Sequence, residues 1–311
     1  MIQDRDRDGA PLTVTCCKSC GLAYVDPLPS PEELTEFYAQ RYRKEYKKTS
    51  APKLRYIYRA GRVALDRLST LATMTSPPAR VLDCGASAGE FTYLLASRGF
   101  RAIGIEPNNA YRDYAAREYG IDIRGGTIEE AEFASNEFDV ITMFHVLEHV
   151  RDPAAGLRRL ASWLKNGGHL VVEVPNALTG VSSPGNLYHR AHLYYFASQP
   201  LQQMAHDCGL LPVKIAASPT EANLLAVFKK QTDPTSDRMR SGGAIAHDAV
   251  VNANRSRTLQ RYLLSATTVA SIPRRIYRRS KEYVAQSAFP SGKAMLDHLY
   301  AQEAAQLARA V

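Results

Sequence analysis

The sequence predicts an α/β fold: a doubly wound, mostly parallel, seven-stranded sheet with helical N- and C-terminal extensions. Three observations predict it. From residue 79 onward, short apolar runs alternate with amphipathic stretches of helical length. A small-residue turn, Gly85-Ala86-Ser87-Ala88-Gly89, joins the first of those runs to the first helix. The last two apolar runs are separated by only a short polar turn, which fits a closing hairpin and one antiparallel strand.

The elements follow in order. Pro27 to Pro31 is a stiff connector, and Ser30 can cap a helix that opens on Pro31 with Glu32 and Glu33 in its first turn. Strands are expected over 80–84, 102–105, 121–124 and 138–144, with helices over 89–98 and 109–119. Asp152-Pro153 opens a helix to about 164, and Gly167-Gly168 turns the chain into a strand over 169–174. A helix near 198–208 stops at Gly209, and strands over 211–216 and 223–228 close the sheet. Residues 231–254 read as a polar linker. Helices over 255–272 and 274–286, split by Pro273, and a third from 292 complete the chain. Three regions result: a Cys-bearing, basic helical extension (1–75), an α/β domain (76–230), and a linker with a basic helical extension (231–311).

Composition sets the class. The 311 residues are 45% hydrophobic and 23% charged, ordinary for a globular protein with a sizeable core. Lys and Arg outnumber Asp and Glu by 39 to 31, a net charge of +8. The surplus is uneven: 13 basic against 9 acidic residues in 1–75, 14 against 16 in 76–230, and 12 against 6 in 231–311. No apolar run reaches the roughly 18 residues of a membrane span. Met1-Ile2-Gln3-Asp4 is too polar for an export leader, and five cysteines, an odd number, fit reduced thiols in the cytoplasm.

The most informative segment is Val81-Leu82-Asp83-Cys84-Gly85-Ala86-Ser87-Ala88-Gly89-Glu90-Phe91. Gly85 and Gly89 let the backbone bend and approach a ligand, and the helix start offers unpaired N–H groups. Seventeen residues past Gly89, Glu106 ends the second strand, where a carboxylate can accept from both hydroxyls of a ribose. A tight strand–helix turn without a ligand is the plainer alternative.

Residues 81–89, Gly104-Ile105-Glu106, 138–150 and Leu164-Lys165-Asn166-Gly167-Gly168 together resemble the class I S-adenosylmethionine-dependent methyltransferases, in order and spacing. The likeness covers about 79–230 and implies a Rossmann-like methyltransferase fold with S-adenosyl-L-methionine as cofactor. It implies that Asp83, Gly85, Ala86, Ser87 and Gly89 hold the methionine part, Glu106 the ribose, and Thr127 and Ile128 the adenine, with His145 beside them. Ser87 stands where a glycine is commonest in that family. A nicotinamide-dependent dehydrogenase fits worse, because the turn lacks Gly-x-Gly-x-x-Gly.

The fourth strand delivers His145-Val146-Leu147-Glu148-His149, and a helical turn there would put His145, Glu148 and His149 on one face. A later insertion, 177–197, carries His189 and His192 and has the length of a substrate lid. Three roles stay open for His145, Glu148, His149 and His192. One imidazole takes a proton from a substrate hydroxyl. Alternatively the four hold a divalent metal, similar to the Glu-x-x-Glu-His plus distant His of some metal-dependent class I O-methyltransferases, with His145 replacing the first Glu. In the third reading Glu148 and His149 only brace the cofactor loop.

The flanks are explained least. Cys17-Lys18-Ser19-Cys20-Gly21 is half of a zinc ribbon; it resembles the start of bacterial sugar methyltransferases with the first Cys pair missing, and Cys16 is its only neighbouring thiol. Nine Lys or Arg lie among tyrosines in 41–62, which suits an anionic or sugar-linked substrate or a solvated helix face. Arg274-Arg275-Ile276-Tyr277-Arg278-Arg279-Ser280-Lys281 is a basic amphipathic segment that fits peripheral membrane contact, or a dimer or lid element. Nucleic acid is not the expected partner. The expected function is methyl transfer from S-adenosylmethionine to a hydroxyl of a sugar, glycan precursor or similar small metabolite. The alternatives are C-methylation of a nucleotide-linked sugar and a non-catalytic nucleotide- or RNA-binding module.

Overall fold

Capped helices alternate with buried strands as the apolar pattern requires. The computed structural model describes residues 1–6, 8–36, 52–179, 187–218, 222–231 and 243–310. Most of the basic, Tyr-rich stretch before residue 52, and 180–186 of the insertion, lie outside the described residues.

The main sheet has seven strands: β4 (Arg80–Cys84), β5 (Arg101–Glu106), β6 (Ile123–Gly125), β7 (Phe138–Phe144), β8 (Leu164–Pro175), β10 (Leu210–Ala217) and β11 (Asn223–Lys230). Their order is β10-β11-β8-β7-β4-β5-β6. β4, β5 and β6 pair parallel, while β11 runs antiparallel to both β8 and β10. The doubly wound, mostly parallel expectation holds, including the closing hairpin. A second, antiparallel sheet has the order β1-β2-β3-β9, from Gln3–Arg5, Pro11–Cys16, Ala23–Val25 and Tyr194–Tyr195. The sequence reading missed it, because three of its strands are two or three residues long and show almost no periodicity.

Contacts divide the chain into two compact units. The first holds Met1–Leu34, Phe133–Glu137 and Ile141–Ser271. Here the small sheet packs its inward residues Leu12, Val14, Cys16, Ala23 and Val25 with Tyr188, Tyr195 and Val250. Val250 belongs to α7 (Gly243–Ser256), a helix where the polar composition had suggested only linker. Its start seats directly on the Cys17–Cys20 loop: a Cβ on Gly243 would stand 1.7 Å from the Ser19 carbonyl oxygen, and one on Gly21 2.5 Å from Ala246 Cβ. Tertiary packing, not composition, decides this helix. In the same unit, Ser30 and Glu33 form a reciprocal capping box at α1 (Pro31–Glu36), and Asp152 caps α5 (Pro153–Trp163) by accepting from the Ala155 amide at 2.9 Å. This unit also holds α6 (Ser198–Asp207) and α8 (Leu259–Leu264).

The second unit holds Thr35–Glu132, Phe138–Val140 and Ile272–Val311. It contains α2 (Leu54–Leu71), α3 (Glu90–Ser97), α4 (Asn109–Tyr119) and α10 (Gly292–Ala310). Asn108 caps α4 and Gly120, at φ 66°, ends it. Gly61 of α2 admits Leu296 and Leu299 of α10 where any side chain would collide. α9 (Ala266–Ala288) runs through Pro273 without a break, so the expected split into two helices is corrected. Pro273 lies in its third turn on an exposed face, where bending away from the carbonyl four residues back meets little packing.

Candidate active site

In the second unit, β4 runs into a loop whose backbone is wound left-handed at Gly85 (φ 73°), Ser87 (φ 55°) and Gly89 (φ 87°). The Gly85 and Ala86 amides donate to the Ile105 carbonyl at 2.9 and 3.0 Å, holding the loop against β5. That approach is close: a Cβ on Gly104 would stand 2.7 Å from Ala86 Cβ. Gly89 then starts α3, with Ile121 and Ile123 filling the space a side chain would need. Asp83 is buried and accepts from Thr92 Oγ at 3.0 Å, so a charged group at the strand end is held in one rotamer.

Glu106 is the centre of this cradle. It is buried, one carboxylate oxygen accepts the Ser87 amide at 3.0 Å, and the other accepts the Asn108 amide at 3.0 Å. A carboxylate has about four acceptor positions, so it can serve several donors at once. Beyond β6, Gly126 (φ 113°) leads to Thr127, whose amide donates to Glu130 at 2.9 Å, and to buried Ile128. Asp83, Gly85, Ala86, Ser87, Gly89, Glu106, Thr127 and Ile128 therefore all lie in this unit, at or beyond the carboxyl ends of β4, β5 and β6.

In the first unit, β7 ends at Phe144 and the next residue, His145, takes φ 57°. A β-side-chain residue in that region is uncommon and needs its surroundings to hold it. The hold is visible: the His145 amide donates to the Glu173 carbonyl at 2.8 Å, His145 Nε2 stands 3.4 Å from Glu173 Oε1, and Nδ1 stands 3.4 Å from Glu148 Oε1. The following turn, Leu147–His149, is 3₁₀. Residues 145–149 thus do not share the face of an α-helix; the left-handed His145 brings its ring to Glu148 instead.

Glu148 is fully buried, and among the described residues neither of its oxygens accepts a hydrogen bond of ordinary geometry. Its Oε1 is ringed by imidazoles: besides His145, His192 Nε2 is at 3.8 Å and His149 Nε2 at 4.0 Å. The His149 Nδ1–H donates to the Ala191 carbonyl at 2.6 Å, which leaves Nε2 as the nitrogen turned to Glu148. His189 stacks on His192 with ring centres 3.5 Å apart. Burial, then the neighbouring His149, His189 and His145, push the His192 imidazole well below its usual value, so it is neutral near pH 7. Burial also opposes charge on His145, but Glu148 and Glu173 outweigh it and raise that imidazole to about 9.

This arrangement asks for positive charge. A buried carboxylate without hydrogen bonds is costly unless a cation faces it. The His145 imidazolium is one answer. A divalent cation is the other: among the described residues, Glu148, His149 and His192 bring ligand atoms within 4.8 Å of one another. One carboxylate and two imidazoles suit a first-row divalent ion. The His145 side chain is 40% exposed against 12–14% for His192 and His149, so it is the member that an incoming molecule reaches.

Two contributors escaped the sequence reading. Glu173 and Asn223 sit side by side on β8 and β11, and the Asn223 amide donates to Glu173 Oε1 at 2.6 Å while standing 3.3 Å from His145 Nε2. A lone carboxylate inside the apolar run Val171-Val172-Glu173-Val174 was the available signal. The Cys segment is built differently from a ribbon. Cys16 turns inward, its Sγ 3.6 Å from the Gly21 carbonyl, and burial pushes its thiol up to about 11. Cys17 and Cys20 remain on the loop, two thiols where a structural zinc takes four ligands.

Residues 55–215 match the family model described as a methyltransferase domain. A ubiquinone biosynthesis O-methyltransferase of Marinobacter nauticus is 40% identical over 106 residues, 31% of this chain and 44% of that protein. A probable S-adenosylmethionine-dependent methyltransferase of Mycolicibacterium smegmatis is 31% identical over 117 residues, 36% of this chain and 46% of that protein. The chain thus spans less than half the length of these relatives. Among solved structures, the YcgJ protein of Bacillus subtilis aligns over 55% of this chain and all of its own, at 17% identity and a TM-score of 0.46. The family match takes in more than half of the residues, from α2 through β10, and includes both the Glu106 cradle and the His145–His149 turn. The chain belongs to the methyltransferase-domain family.

Proposed function

We propose that this protein methylates a hydroxyl oxygen of a small metabolite, with sugars and glycan precursors as the substrate class to test first. The observation that carries the reading is the buried Glu148 carboxylate ringed by His145, His149 and His192. A hydroxyl is a poor nucleophile until its proton is drawn away, and a nitrogen or a stabilised carbanion needs less of such machinery. The name carried by the Marinobacter relative, an O-methyltransferase, supports the same choice.

S-adenosylmethionine, when bound, supplies an already activated methyl group. The cradle residues then bind and orient: Glu106 takes the ribose hydroxyls, the Gly85–Gly89 loop the methionine part, and Thr127 and Ile128 the adenine side. Alignment and exclusion of water are the main demands of such a transfer. Glu148, His149 and His192 would hold a divalent cation, which supplies Lewis acidity toward a hydroxyl. His145, oriented by Glu173 and Asn223, contacts the acceptor and holds or accepts its proton at an imidazole nitrogen. A metal-free base mechanism through His145 is the second reading, favoured by its exposure; its raised pKa argues that it works better in alkaline solution.

Mass spectrometry of reactions with S-adenosylmethionine and a panel of hydroxylated acceptors tests the proposal, run with and without chelator. A methyl ether that forms only with metal supports the first reading, and one indifferent to chelator supports the second. Methyl found on carbon or nitrogen overturns O-methylation. Failure to bind S-adenosylmethionine or its demethylated product in calorimetry overturns the cradle assignment.

A further inference from the structure

α9 presents an unusual outward face. Between Ile272 and Ala288 its buried residues are Glu282 and Ala285. Glu282 is clamped by Arg59 of α2, Nε to Oε1 at 2.7 Å and Nη2 to Oε2 at 2.6 Å, which fixes the rotation of the helix. Opposite the buried pair Glu282 and Ala285, at 3.6 residues per turn, an exposed sector runs from Ile272, Tyr283 and Ile276 on one side to Val284 and Tyr277 on the other, with Pro273, Ser280 and Ser287 between them. Its five large apolar residues are exposed, from 49% for Ile272 to 73% for Tyr283. Large apolar side chains held in water along one helix face need a reason.

The charges on either side supply one. Arg275 and Arg279 border this sector on the Ile272 side, and Arg274 and Lys281 border it on the Tyr277 side, all exposed. An apolar stripe with basic rims on both sides is the pattern of a helix lying in a bilayer interface, its aliphatic groups among the acyl chains and its cations at the headgroups. Among the described residues, no helix is long and apolar enough to cross a membrane, so contact is along the surface.

We propose that this face of α9, centred on Ile272, Ile276 and Tyr283, docks on a bilayer surface rich in anionic lipid. Charge complementarity selects that occupant. A second copy of the chain packed through the same face would set arginine rims against arginine rims. A nucleic acid would pair with the arginines and leave the apolar residues in water. The segment lies outside residues 55–215, which match the methyltransferase domain.

Sedimentation of the full chain with vesicles tests the proposal, using phosphatidylcholine alone and phosphatidylcholine mixed with phosphatidylglycerol. The protein should partition onto the mixed vesicles only, and less as salt rises. Arg275→Gln with Arg279→Gln should weaken binding by roughly five-fold per charge removed. Ile276→Ser with Tyr283→Ser should weaken it by at least about ten-fold. Both pairs are solvent-exposed, so thermal melting should be unchanged, and the two pairs test the two halves of the pattern independently. Equal binding to neutral vesicles, or none to either kind, overturns the proposal. So does a dimer in ultracentrifugation, or RNA binding, that the serine pair abolishes while vesicle binding is nil.

Discussion

The Ser87 amide donates to Glu106 Oε2 at 3.0 Å, so the turn after β4 and the end of β5 share one carboxylate. The other oxygen of Glu106 holds the Asn108 amide and with it the start of α4. A single buried side chain therefore fixes two loops. Glu106→Ala should weaken binding of the demethylated cofactor by about ten- to a hundred-fold, the equivalent of one or two hydrogen bonds to a charged group. Calorimetry measures this, and unchanged affinity would show that the cofactor lies elsewhere.

Ser87 itself occupies the left-handed region at φ 55°, which glycine enters freely and other residues enter at a cost of about 1–2 kcal/mol. A small side chain is tolerated there, whereas a β-branched one is not. Ser87→Gly is expected to fold and bind cofactor within about two-fold of the parent. Ser87→Val should lose about 1–2 kcal/mol in urea unfolding and bind cofactor more weakly.

Glu148 and Glu173 both face His145, and their charges hold its imidazole at about 9 against the cost of burial. In chelator-treated protein, an NMR titration of the His145 ring should therefore show a midpoint near 9. The ring is charged at neutral pH and loses its proton around pH 9; its ion-pair stabilisation, full below about 6.5, is lost as pH rises through about 9. Glu173→Gln should move the midpoint down while leaving the Glu148 contact in place. A midpoint unmoved by that change would remove Glu173 from the site.

Chelation distinguishes proton from metal at Glu148. If Glu148, His149 and His192 hold a divalent ion, Glu148→Gln should lower its affinity by at least about ten-fold in calorimetry with zinc or manganese. The same change should depress turnover even at saturating metal. Binding that survives both Glu148→Gln and His192→Ala would place any metal at another site.

What could be read in the sequence follows a physical division. The β4 turn, Glu106 and the β7–His149 segment were legible because each is local: strand, turn and side chain follow one another within a dozen residues. Their partners were not. Glu173 and Asn223 reach His145 only because β8 and β11 lie side by side, and sheet order is a tertiary fact. The small sheet was invisible for the same reason: β9, at Tyr194–Tyr195, pairs with β3 from the other end of the chain. α7 was missed because the surface that holds it is the Cys17–Cys20 loop, while the sequence near it reads as polar linker. Pro273 misled in the opposite direction: it predicted a break, and α9 continues because that face meets solvent.

The Arg59–Glu282 clamp gives a stability prediction whose sign can be worked out. Glu282 has a nearly buried side chain, and its carboxyl is held below the usual range by the Arg59 hydrogen bonds first, with burial opposing and Arg278 and Arg279 adding to the pull. A carboxylate whose folded pKa is depressed stabilises the fold above its unfolded pKa, about 4.3, and loses that contribution as pH falls through the folded value. The Arg59 side chain is 42% exposed, so solvent screens the pair and the expected contribution is about 1 kcal/mol. Glu282→Gln should therefore lower stability by about that amount at pH 7 and by progressively less as pH falls below about 4.3. Arg59→Met should cost more, about 2 kcal/mol, because it takes the two-point clamp from a buried carboxylate and leaves it the longer Arg278 contact at 3.5 Å. Urea unfolding of both variants across this pH range measures the difference, and a gap between parent and Glu282→Gln that does not shrink as pH falls would mean that packing, not charge, holds α9 to α2.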